Sequence, residues 1–177
     1  MPEEDVRTLF DAFDAENGGE PLPHEEPTGD QLQALREVLR SDKAPYADFG
    51  VWGPYGRRQS KLLKFQAMVF VGGSLQQKQL TGPHNFVSWR RCWCVFRTAM
   101  VLLRGSKPGP LDAYEENIRS LAEVFGDTHW GIISRADDVM RSEGWERRRR
   151  VSEDEVRRGV YRKVFDPAMS WAAVLRD

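Results

Sequence analysis

The chain is poor in the residues that metal and thiol chemistry require: of 177 residues, two are cysteine and three are histidine. Cys92 and Cys94 stand two apart in a segment of helical spacing, where neighbouring positions point in different directions. They should therefore neither bridge each other nor chelate one metal, and reduced, partly buried thiols are expected. His24 lies among prolines, His84 precedes a helix cap and His129 sits in a first helical turn. None is spaced with Cys or acid partners as a metal site demands. A long apolar run is also lacking: nothing approaches the ~18–20 residues of a membrane span. The N-terminus is acidic rather than basic-then-apolar, unlike a signal peptide. These absences predict a cytoplasmic or nuclear protein that does not enter a membrane.

Catalytic signatures are missing too. There is no nucleophile elbow, phosphate-cradling loop or HExxH pair. Gly50-Val-Trp-Gly53-Pro-Tyr-Gly56 is glycine-rich, but Trp52 and Pro54 fill the space where a phosphate loop needs bare amides. Asp14-Ala-Glu16-Asn17-Gly18-Gly19 has the flavour of a calcium loop. Its third position is Glu, its fifth is Gly, its eighth is Pro21, and the prolines beyond leave no exiting helix. Asp137-Asp138 is an acidic pair inside a predicted helix; adjacent residues point about 100° apart. An ion pair of Asp138 with Arg141 is the simpler expectation. No catalytic residue, cofactor or metal ligand is therefore assigned, and the chain is expected not to be an enzyme. An enzyme assembled from residues distant in sequence is the third of three readings.

What is present is aromatic and charged. Six tryptophans allow a substantial core in one domain. The formal net charge of −1 hides an asymmetry: residues 1–26 carry nine acids against Arg7 alone, a charge of −8. The rest holds 25 basic against 18 acidic residues, or +7. Such a split marks an interaction tail or a basic surface, though charge runs also serve simply as solvated faces.

The order of elements follows from spacing. Residues 1–27 read as an acidic, disordered arm: Val6, Leu9, Phe10 and Phe13 offer only a short amphipathic stretch before Gly18-Gly19 and Pro21, Pro23 and Pro27. A helical domain with a hairpin spans 28–150. It opens on the capping box Thr28-Gly-Asp-Gln31, and Pro45 closes that first helix. The hairpin is placed near 64–80, from Phe65–Val71 through Gly72-Gly73 to Ser74–Leu80. Asn85 should cap a long helix that buries Phe86, Trp89, Trp93, Phe96, Met100 and Leu103. Pro110 opens the next, with Leu111, Tyr114, Ile118, Leu121 and Phe125 inward, and Gly126 ends it. A further helix carries Trp130, Ile133, Ala136 and Met140. Residues 151–177 form a basic C-terminal extension that docks by a short helix. The expected class is mainly α with a small antiparallel β-hairpin (α+β), a helical bundle packed on a short sheet.

Arginine supplies the candidate site. Arg90, Arg97 and Arg104 recur every seven residues along one helix edge. Arg147, Arg148, Arg149 and Arg150 form a run near the C-terminus, and Arg57, Arg58, Lys61 and Lys64 flank the hairpin. Several cations on one face are what a nucleic-acid backbone requires, so these arginines are the candidate contacts to RNA or DNA. Pairing with nearby Glu and Asp is the plainer alternative.

Leu80-Thr81-Gly82-Pro83-His84-Asn85-Phe86-Val87-Ser88-Trp89 resembles the L-x-G-x-N-F/Y-x-x-W opening of copia-type retrotransposon gag domains. The run from Pro45-Tyr46-x-Asp48-Phe49 through Trp52-Gly-Pro-Tyr-Gly-Arg57 to Ala136-Asp137-Asp138 and Arg141-Ser142-Glu143 is similar to uncharacterised, retroelement-associated proteins of protist genomes. That likeness spans about residues 45–150 and brings no established activity with it. The gag likeness implies a non-catalytic, self-associating domain that contacts nucleic acid non-specifically. The sequence has no Cys-x-x-Cys-x4-His-x4-Cys knuckle, so only the helical assembly part is implied. A second reading is a cellular protein-interaction module whose acidic arm masks a basic surface.

Overall fold

A computed structural model of the chain describes residues 1–41, 43–50, 52–53, 67–71, 74–78 and 82–146. Five helices make the body: α1 (Glu3–Asn17), α2 (Gly29–Arg40), α3 (Phe86–Leu102), α4 (Pro108–Phe125) and α5 (Trp130–Val139). A 3-10 turn, Asp127–His129, leads into α5, and a π-helical turn, Met140–Gly144, extends it.

The first two helices begin for different reasons. In α1, Glu3, Glu4 and Asp5 occupy the first turn, where acids meet the positive end of the helix dipole. Gly18, in the left-handed region at φ 72°, ends it. In α2 the capping box forms in full: Thr28 accepts from the Gln31 amide at 3.2 Å, and the Gln31 side chain accepts from the Thr28 amide at 2.9 Å. Leu32 and Leu35 are then buried against α3.

Helix α3 is the centre of the molecule. Asn85 caps it, its Oδ1 accepting from the Ser88 amide at 2.8 Å. Trp89, Trp93, Val95, Phe96, Ala99 and Met100 are completely buried. Trp89 and Trp93, one turn apart, stack at 5.2 Å, and Trp93 stacks on Tyr114 of α4 at 4.9 Å. Phe49 and Trp52, from the loop after α2, set their edges against Phe96. Each such ring pair adds about 0.5–1.5 kcal/mol beyond the burial itself.

The expected α+β class, a bundle packed on a short sheet, is corrected: among the described residues the body is a helical bundle without a sheet layer. Among the described residues the segments Ala67–Val71 and Ser74–Lys78 pair antiparallel with each other alone, and the main contacts of the body run helix to helix. A Gly-Gly turn between alternating residues favours local pairing, but it does not create a packing face. In sequence the second segment, Ser-Leu-Gln-Gln-Lys, is largely polar, and a two-stranded pair by itself is marginal in water.

The arm is corrected as well. Residues 1–27 are not a disordered tail, because α1 packs on α3 with Val6, Leu9, Phe10 and Phe13 turned onto the core. That stretch was too short to hold a helix alone, and tertiary packing supplies the difference. The residues expected at 57–64, the Gly72-Gly73 turn and the extension at 151–177 lie outside the described residues.

Candidate functional site

The most concentrated chemistry lies where α5 meets the loop after α2 and the aromatic stack of α3 and α4. Arg141, 2 % exposed, sits in the π-helical turn. Its Nε donates to Asp137 Oδ2 at 3.0 Å, and its terminal nitrogens reach the same oxygen at 2.9 Å and the Ala47 carbonyl at 2.6 Å. The guanidinium carbon stands 3.8 Å from the centre of the Phe49 ring, a cation–π contact within the core. Asp138 is a secondary partner at 3.7 Å. The sequence-based pairing of Arg141 with Asp138 thus exists, but Asp137 is the main partner.

Asp137 gathers the rest. Trp89 Nε1 donates to its Oδ2 and the Tyr114 hydroxyl to its Oδ1, both at 2.9 Å. With Arg141 these donors occupy the lone-pair positions a carboxylate has to offer. Burial, and then the Asp137 charge, hold the Tyr114 hydroxyl well above its ordinary range, so it stays a donor. Burial opposes the Arg141 charge, yet Asp137 outweighs it and keeps the guanidinium protonated. The cluster is a saturated clamp joining three helices and a loop. It has no free base and no activated nucleophile.

Against the clamp opens a cleft of about 530 Å3, whose lining includes Asp137 and Arg141 together with Tyr46, His84, Arg135 and Asp138. Tyr46 donates to Asp138 Oδ1 at 2.8 Å across its floor. Burial and the neighbouring carboxylate raise the Tyr46 pKa, so this phenol is no base at neutral pH. The cleft therefore joins the two ends of the run over residues 45–49 and 136–143, which are distant in sequence.

The arginine edge is found, and it is engaged. Arg90 donates to Glu115 at 2.7 Å, while Arg97 grips Asp112 with two bonds of 2.6 and 3.1 Å. Arg104 donates to Glu16 of α1 at 2.7 Å. Donating to these carboxylates raises the pKa of Arg90 and of Arg97. Two of the arginines thus fasten α3 to α4, and the third fastens α3 to α1. Arg147, Arg148, Arg149 and Arg150 lie outside the described residues. Reading one helix at a time, the sequence could place the edge but not the acids that face it.

No family model, curated protein or solved structure matches the chain. Among the described residues no helix is long and apolar enough to cross a membrane. Among them, too, no three His, Cys, Asp or Glu side chains converge as a metal site. Cys92 and Cys94 are free thiols; burial pushes each up to about 11, with Glu25 and Glu115 adding to the effect at Cys94. Such thiols are poor nucleophiles at neutral pH.

Proposed function

We propose that this chain is a non-catalytic interaction and assembly domain of gag-like type, working through association with further copies or with another protein. The observation that carries this reading is the saturation of the Asp137–Arg141 cluster. Among the described residues the most deeply buried ion pair, Asp137 with Arg141, is engaged by the fold itself, with Tyr114 and Trp89 as further donors to Asp137. Structural ion-pair networks of this kind perturb ionisable groups without any catalytic role. Any contact with RNA or DNA falls mainly to Arg147–Arg150, since Arg90, Arg97 and Arg104 each have a carboxylate partner. Light scattering at low salt, with and without RNA, tests the proposal. Species larger than a monomer are expected, and a monodisperse monomer indifferent to RNA would overturn it.

The masking reading also has an observation in its favour. Acids of α1 reach cations of the domain at two places, Glu16 to Arg104 and Asp5 to Arg36. Under this reading, removing residues 1–27 raises the affinity for a polyanion such as heparin and steepens its salt dependence. Unchanged binding after the deletion would count against it.

A further inference from the structure

We propose that the groove on α2 and α3 that holds α1 also accepts α1 of a second copy, so that the acidic helix is an exchangeable joint between molecules. The inference rests on the assembly reading and names the surface that performs it. Three features of the chain point to it.

The first is how α1 docks. None of its residues is fully buried; Val6, Leu9, Phe10 and Phe13 lie half-buried on the core. By contrast Leu32 and Leu35 of α2 are sealed inside. The helix covers the groove without being woven into it, so it can leave while the aromatic core stays intact.

The second is charge matching at the rim. Asp5 meets Arg36 at 3.3 Å and Glu16 meets Arg104 at 2.7 Å, one pair near each end of α1. These pairs fix the direction in which an acidic helix lies in the groove. They do not specify which copy the helix belongs to.

The third is the connection. Between α1 and the anchored stretch of half-buried Glu25 and buried Pro27, residues 18–24 carry Gly18 and Gly19, at neither of which an added Cβ would meet a neighbour, together with Pro21 and Pro23. The Glu25 amide bonds the Leu22 carbonyl at 2.8 Å in a turn that opens as the segment reaches outward, and its prolines stiffen the chain and reduce the entropy lost in doing so. Seven residues span up to roughly 23–25 Å, about the length of a helix such as α3. Exchange reproduces every contact of the closed form, which is why swapping an element is a low-cost route to a dimer.

Two complementary charge variants test the joint. One is Asp5→Lys with Glu16→Lys, reversing the helix; the other is Arg36→Glu with Arg104→Glu, reversing the groove. All four side chains are at least partly exposed, so both variants should fold. In each alone, like charges face each other; in an exchanged pair of the two, every contact is opposite in sign. Native mass spectrometry of the mixture should show the heterodimer over either homodimer by roughly tenfold. A mixture without preferential heterodimer overturns the inference. So does a chain lacking residues 1–27 that assembles as the full chain does, which leaves the assembly reading standing on another surface. A full-length chain that is monomeric at every concentration removes both.

Discussion

At the scale of single residues, Asp137 is the position on which most depends. Replacing it with Asn leaves the Arg141 guanidinium buried without its counter-charge, and a broken buried pair costs roughly 3–5 kcal/mol. Chemical denaturation should show that loss for Asp137→Asn. Adding Arg141→Met should recover a large part of it, because the stranded charge is then gone. The two stacked tryptophans make a paired comparison. Trp89 Nε1 donates to Asp137, whereas Trp93 Nε1 has no partner among the described residues. Trp89→Phe should therefore cost more than Trp93→Phe by roughly 1–2 kcal/mol, the worth of a hydrogen bond to a charged group. Equal losses would mean that ring volume alone decides both sites.

At the scale of elements, the end of α3 carries an unusual residue. The Gly105 amide bonds the Met100 carbonyl and the Arg104 amide bonds that of Val101, the paired bonds of a Schellman ending. Its left-handed position, at φ 55°, belongs to Arg104 and not to a glycine. A side chain there costs roughly 1 kcal/mol or more, whereas the exposed pair with Glu16 returns only a few tenths to 1. Arg104→Gly should thus hold or raise the melting temperature while weakening α1 docking, measured as faster proteolysis within 1–27. A clear loss of stability would show that the ion pair outweighs the backbone strain. The reverse case is Gly126 between α4 and the 3-10 turn, at φ 69° and ψ 174°. That region is essentially restricted to glycine, so Gly126→Ala should destabilise by about 1–3 kcal/mol in thermal melts.

At the scale of the whole molecule, alkaline pH should loosen the bundle. The thiols of Cys92 and Cys94 sit near 11 in the fold and near 9 in an unfolded chain. Between those values the folded state holds protons that the unfolded state has released. Stability is then full below about pH 9 and falls as pH rises towards 11. Cys92→Ala should flatten that decline in a pH series of denaturant melts, and an unchanged slope would assign it to other groups. The same scale explains the arginines. An edge of three cations on α3 becomes a set of fasteners once α4 and α1 fold against it, so basic surface in the sequence becomes internal bracing in the molecule.

Local spacing by itself determined α2 to α5, because a cap, a 3.6-residue apolar period and a stop residue all act within a few turns. Thr28 with Gln31, Asn85, Gly126 and the inward Trp89, Trp93, Phe96, Leu111 and Ile118 were legible for that reason. Only the tertiary structure decided the partners. It settled that Arg141 takes Asp137 before Asp138, that Glu115, Asp112 and Glu16 meet the arginine edge, and that residues 45–49 close on α5. It also made a helix of residues 3–17 and, among the described residues, left the segments 67–71 and 74–78 paired with each other alone. An amphipathic stretch shows in sequence that it needs a surface. Which surface it receives depends on contacts between residues far apart along the chain, whose energies no local window contains.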